Sequence, residues 1–358
     1  MLIGENMPYC SKCGAKVDED VAFCPTCGTS IRQSATKMVQ SRLERGARRP
    51  RSTLAIVLIV LLVSASIIVA ITFLPLRGVD VNASRSVPYQ TGVDTIALEF
   101  VADVARINVA FEDLEDNLVT LHLSILGNVG AFAPSSLYDL AFEKTVVDNV
   151  LTVTSELDVA DLVWPLSFMN LNVTCDLRID YALNASINIK TSVGRIVVDT
   201  RSGTVLTDTS LETTTGGVEA TLAAGVILSG DISVTSTTGG VKLNWNNVLA
   251  TKDLLVDVTT TTGGVDVDIK QDARLQHDVT LNAAAITGGV DFTIDLQGAV
   301  GAKIESAVTT GGINIDRQIG FSGTNAQLQS DNYPTDSNFE AHLQTTTGGI
   351  KINAKHTS

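Results

Sequence analysis

A four-residue word, Thr-Gly-Gly-Val/Ile, recurs six times and constrains this chain more than any other feature. Its first glycines are Gly216, Gly239, Gly263, Gly288, Gly311 and Gly348, at spacings of 23, 24, 25, 23 and 37 residues. A degenerate copy, Ser192-Val193-Gly194-Arg195-Ile196, stands 22 residues before the first full one. Around each word the pattern has period two. Val256 and Val258 precede one copy, and Val265, Val267 and Ile269 follow it, with Thr, Asp, Lys and Asn in the other phase. That pattern predicts a strand, a sharp Gly-Gly corner and a second strand, with one face buried. No single unit buries enough to stand alone, so the repeat predicts a β-solenoid of stacked units with a period of about 24 residues. The threonine runs are expected to form outward ladders. The longest interval carries its excess in 320–338, rich in Gly, Asn, Ser and Asp. This segment reads as a loop on one face of the stack and a candidate contact surface.

Residues 87–190 lack the word but stay rich in β pattern. Val104, Ile107 and Val109, then 118–126 and 146–153, predict strands, with turns at 112–117 and at Asp148-Asn149. They are expected to cap the stack, because an open end invites pairing with other chains.

Charge divides the chain sharply. Residues 1–52 hold nine Lys/Arg and five Asp/Glu, residues 53–76 hold none, and residues 77–358 hold 16 Lys/Arg and 34 Asp/Glu. The charge-free stretch is rich in Leu, Ile and Val, and a bilayer needs roughly 20 apolar residues as helix. The expectation is an uncleaved transmembrane helix over 53–76. A cleaved signal peptide fits poorly, since 52 residues precede the segment. Arg42, Arg45, Arg48, Arg49 and Arg51 just before it predict a cytoplasmic N-terminus and an extracellular C-terminal body. Sequons at Asn82, Asn172 and Asn184 lie on the expected outer side. The acidic body argues against nucleic acid as its partner.

The head carries Cys10-Ser11-Lys12-Cys13-Gly14 and Cys24-Pro25-Thr26-Cys27-Gly28. Two C-x-x-C pairs match the four thiolates of a tetrahedral zinc site, and the trailing glycines let the backbone turn back toward the sulfurs. With Cys10, Cys13, Cys24 and Cys27 all as ligands, no position is left open for water, so one structural Zn²⁺ is expected. The remaining cysteine, Cys175, shares the apolar phase of Leu171, Val173 and Leu177 and reads as a buried small hydrophobe.

Residues 9–31 resemble the short zinc-ribbon family found at the N-termini of many prokaryotic membrane and regulatory proteins. The resemblance lies in the two knuckles, in Tyr9 and Phe23 before each first cysteine, and in Pro25. It implies contact with another macromolecule. Residues 90–355 resemble the β-strand-repeat family of adhesin-like domains of unknown function on prokaryotic envelopes. That likeness rests on the recurring Thr-Thr-Gly-Gly-Val-x-Val core, the degenerate turn at 192–196 and the β-rich leader.

Catalytic words are missing. His122, His277, His342 and His356 follow no ligand spacing, and no G-x-S-x-G occurs. Asp266, Asp268, Asp291 and Asp295 fall in the solvated phase. The nine-residue glycine-rich pattern of calcium-binding rolls is absent. The layout expected is therefore a zinc ribbon at 1–31, a basic linker at 32–52, a membrane helix at 53–76, a linker and cap at 77–190 and a repeat body at 191–358. The function expected is a non-enzymatic, adhesin-like surface protein. Its partners would be the lipid bilayer, a cytoplasmic protein at the ribbon and an envelope or extracellular ligand. A transmembrane sensor and a solenoid hydrolase are the alternatives.

Overall fold

The computed structural model describes residues 9–10, 12–16, 21, 23–29, 57, 59–64, 77–130, 133–159, 170–272 and 274–357. The chain divides into two compact units, Met1–Ile68 and Val69–Ser358.

The membrane-spanning helix expected over 53–76 is corrected. Among the described residues no helix is long and apolar enough to cross a membrane. Helix is described at 57 and 59–64, and positions 53–56, 58 and 65–76 lie outside the described residues, as does the basic linker at 32–52. A crossing takes about 20 residues of continuous apolar helix, roughly 30 Å. An uncharged composition sets the hydropathy of a segment but not the length of its helix. The single-pass topology, with a cytoplasmic N-terminus and an extracellular body, loses its basis with that helix.

The second unit is built from two sheets, one of 11 strands and one of 14. Each Thr-Gly-Gly word joins a strand of the larger sheet to a strand of the smaller. Leu254–Thr262 and Val265–Gln271 are one such rung, joined at Gly263. Alternation places Val256, Val258, Val265, Val267 and Ile269 in a single core between the sheets. Successive rungs pair parallel and in register, Val241 beside Val265 and Val265 beside Val290. In-register parallel pairing stacks apolar on apolar: Val265 meets Val241 and Val290, and Val267 meets Leu243 and Phe292.

The corner depends on the first glycine. Gly263 has φ +148°, and a Cβ on it would lie 2.0 Å from the carbonyl oxygen of Gly239 on the next rung. The threonine run just before the corner is not wholly outward, as its composition suggested. Its second member points in: Thr260 Oγ1 donates to Gly239 O at 2.9 Å, and on the neighbouring rung Ser236 Oγ donates to Gly216 O at 2.9 Å. These hydroxyls satisfy carbonyls that the corner withdraws from the strand ladders.

Two rungs lack the word altogether. Thr95–Val104 and Arg106–Glu112 form one, and Val150–Val159 and Asn170–Asp180 another. Space does not follow chain order. Thr95–Val104 pairs with both Val150–Val159 and Asn184–Val193, so the first rung in sequence lies second in the stack. The other end mirrors this. Asn338–Thr347 and Ile350–Thr357, last in the chain, lie between the Gly288 and Gly311 rungs.

Antiparallel strands close the ends. Asn117–Val129 pairs with Asn170–Asp180, and Arg77–Pro88 pairs outside it. Tyr138–Val147 covers Val150–Val159 through a two-residue turn whose Asp148 and Asn149 have φ of 49° and 67°, as a type I′ hairpin requires. The loop expected at 320–338 is corrected as well. It contains the hairpin Phe321–Thr324 and Gln327–Ser330, whose second strand pairs antiparallel with Gly301–Thr310 at the edge of the larger sheet. Buried Phe321 and Leu328 hold it there.

Candidate metal centre and repeat groove

In the first unit the two knuckles have matching backbones. Cys10 N donates to Ala15 O, and Gly14 N to Cys10 O. In the second, Cys24 N donates to Thr29 O, and Gly28 N to Cys24 O. Gly14 and Gly28 sit at φ +71° and +69°, the left-handed turn that brings the second cysteine of each pair back beside the first.

The structure brings all four predicted ligands together, with Cys10 and Cys24 buried and Cys13 and Cys27 exposed. Their sulfurs lie within 4.8 Å of one another, with Cys10–Cys27 and Cys13–Cys24 both at 3.6 Å. A tetrahedron with Zn–S bonds of about 2.3 Å has S···S edges of about 3.8 Å, so the cluster has the size zinc needs. The Cys27 thiol is lowered to about 6 by the Thr29 hydroxyl and backbone N–H, while that of Cys13, which shares a hydrogen bond with it, is raised to about 12. The site takes a single structural zinc ion.

The second unit carries a groove of about 840 Å³ along the corners of the smaller sheet. Its floor is the second glycine of each word: in spatial order Gly217, Gly240, Gly264, Gly289, Gly349 and Gly312. Along one side runs a register row, Glu219, Lys242, Asp266, Asp291, Lys351 and Asn314. The exposed threonines before each corner, Thr215, Thr238, Thr262, Thr287, Thr347 and Thr310, are also in register but lie outside the groove's lining. Arg195 closes one end of the groove and pairs with Glu219. Lys242 pairs with Asp266 at 3.4 Å, and Lys351 lies 3.9 Å from Asp291 and 3.1 Å from Asp316. These aspartates are the outward phase seen in the sequence. The groove they flank was not anticipated, although the invariance of the second glycine was its visible signal.

The four histidines stay apart. His277 faces Asp253 at 3.7 Å, His342 faces Glu305 at 3.1 Å, buried His356 contacts Gly298 O at 3.0 Å, and His122 is exposed. The hydrogen bond from Lys303 holds the Glu305 carboxyl below the usual carboxylate range. Cys175 is buried as expected, and desolvation, with Asp176 adding to it, pushes its thiol up to about 12.

Residues 9–31 match the family model of the zinc-ribbon domain. No curated protein matches the chain. Three solved structures show similarity to the chain. One is described as a "putative cell adhesion protein" from Clostridium sporogenes, with 15% identity, 78% of this chain and 100% of that chain covered, and a TM-score of 0.34. A "putative adhesin" from Bacteroides fragilis has 13% identity, 76% and 97% coverage and a TM-score of 0.28. A third, from Parabacteroides merdae under the same description, has 11% identity, 76% and 96% coverage and a TM-score of 0.27.

Proposed function

We propose that this is a non-enzymatic, adhesin-like contact protein, in which the β stack presents a repeated surface and the zinc ribbon is a structural module. The observation that carries this reading is the periodic outer face. A threonine row, a bare glycine trough and a charged row continue in register over six rungs. Stacked repeats offer extended surfaces of this kind to long or multivalent partners. Charged groups at the trough are engaged with each other, Arg195 with Glu219 and Lys242 with Asp266, as suits holding a surface together.

The test is binding by the full chain, zinc-loaded, to immobilised whole cells and isolated envelopes, with the bound material analysed before and after. Saturable, reversible binding that leaves the material chemically unchanged is expected. Turnover of the material, or no saturable binding, overturns the reading.

A further inference from the structure

The four ribbon sulfurs are not equivalent. Cys10 and Cys24, at 4% and 2% exposure, are closed in by their knuckles, while Cys13 and Cys27 are open to solvent. Each knuckle thus has one shielded cysteine, its first, and one accessible cysteine, its second. The short sulfur contacts run between the knuckles. Cys10 Sγ lies 3.6 Å from Cys27 Sγ, and Cys13 Sγ lies 3.6 Å from Cys24 Sγ. Both pairs join an accessible cysteine of one knuckle to a shielded cysteine of the other.

Access and thiolate character decide which cysteines oxidise. Zinc binds cysteine as thiolate, so at Cys13 and Cys27 the two requirements meet. Each also has a second sulfur at hand. A disulfide bond is about 2 Å long, so a movement of about 1.5 Å closes either pair. Cys175 supplies the contrast. It is fully buried in the core of the second unit, which contains no other cysteine.

The crossed arrangement has a structural consequence. Among the described residues the backbone bonds of each knuckle close on that knuckle alone. Cys10 N donates to Ala15 O and Gly14 N to Cys10 O, as Cys24 N does to Thr29 O and Gly28 N to Cys24 O. The metal is what ties one knuckle to the other. A disulfide within a C-x-x-C pair would leave the knuckles untied once the metal is gone. Disulfides Cys10–Cys27 and Cys13–Cys24 tie them twice and keep the ribbon compact without it.

We propose that the ribbon is a reversible redox switch, in which a peroxide converts the four thiolates into the crossed disulfides Cys10–Cys27 and Cys13–Cys24 and the zinc is given up. The Cys27 thiolate attacks one peroxide oxygen, the O–O bond breaks, and hydroxide leaves, which puts a sulfenic acid on Cys27. The Cys10 thiolate then attacks that sulfur, forming the S–S bond and expelling a second hydroxide. Two electrons pass from the two sulfurs to one peroxide, and solvent protonates both hydroxides. Cys13 and Cys24 react in the same way with a second peroxide. The first bond removes two of the four ligands and the second removes the rest. A thiol reductant reverses both bonds by exchange.

The test treats the full zinc-loaded chain with hydrogen peroxide. Metal release is followed with a chromogenic indicator, and cysteine pairing by peptide mapping of the alkylated chain. Loss of the zinc is expected, with Cys10–Cys27 and Cys13–Cys24 as the disulfides and Cys175 still a thiol. Reductant with added zinc should restore the site. The oxidised ribbon should resist limited proteolysis, where the ribbon stripped by a chelator is cut. Zinc retained after peroxide, disulfides within the C-x-x-C pairs, or sulfinic and sulfonic acids in place of disulfides each overturn the proposal. So do oxidation of Cys175 alongside the ribbon and an oxidised ribbon cut as readily as the stripped one.

Discussion

Trp245 donates its indole N–H to Gln271 Oε1 at 2.9 Å, and both side chains are fully buried in the core of the stack. The same amide oxygen accepts from Val248 N at 3.2 Å, and its Nε2 donates to Val248 O at 3.3 Å. One glutamine thus satisfies a buried ring and a buried corner at once. Gln271→Leu would strand those groups and cost roughly 1–3 kcal/mol, measured by urea denaturation. Adding Trp245→Phe to that variant should cost less than the two single changes summed, because the partners share one network.

The corner predicts a contrast between adjacent residues. Gly263→Ala places a Cβ against Gly239 O in a backbone region open only to glycine, and should destabilise on the order of 3 kcal/mol. Gly264→Ala, one residue on, should change the melting midpoint little. Equal losses at both positions in thermal melts would show the corner to be one strained unit.

Zinc should matter to the head and not to the stack. Chelation should release one equivalent of metal per chain and abolish the compact ribbon, since metal binding supplies most of the folding energy of so small a unit. Metal release is read with a chromogenic indicator, and the β melting transition is followed in the same sample. Cys13→Ser should lose the metal and leave that transition where it was.

Cys175 gives a prediction in pH. Its folded thiol is pushed up to about 12, against an ordinary value of 9.0. In the unfolded chain the thiol ionises near its ordinary value, releasing a proton that the folded thiol keeps. Its contribution is therefore fully present below pH 9 and falls as pH rises from there toward about 12. With the ribbon zinc-loaded, a disulfide reagent at pH 8 should label no cysteine beyond the ribbon until denaturant is added. Rapid labelling of native Cys175 would mean that the core opens at that rung.

The last rung supports its neighbours on both sides. Removing 338–358 deletes buried Phe339, Leu343, Ile350 and Ile352 and bares strands on the Gly288 and Gly311 rungs. Such edges template aggregation. The truncated chain should be found in the insoluble fraction, where removal of a peripheral loop would leave it soluble.

The zinc site was fully legible in the sequence, because its ligands are local and their spacing is the chemistry. So was the rung, since the alternation around Gly263 encodes both burial and corner. The turn at Asp148-Asn149 was legible for the same local reason. Spatial order was not. Nothing in the Gly348 word distinguishes a rung added at the end from one inserted between two others, since in-register pairing accepts any rung of like pattern. The hairpin over 321–330 was hidden because Phe321 and Leu328 are single apolar residues among polar ones, and only the strand beside them reveals the period. The inward turn of Thr260 was masked by identical neighbours: in a run of threonines, composition cannot say which one faces the core. The run at 53–76 misled because uncharged residues speak for apolarity and not for the length of helix.

The bracketed position of 338–357 also sets how the molecule answers a pull. A stack whose outermost rung is last in the chain peels from that end, one ladder at a time. Here a load on the C-terminus reaches Ile350–Thr357, which is bonded along both edges, to Val290–Gln297 on one side and to Ile313–Ile319 on the other. His356 and Thr357 are held on one edge alone, and beyond them both ladders must shear together before more of the strand is released. Tension thus meets the chain at an interior seam and not at a free edge.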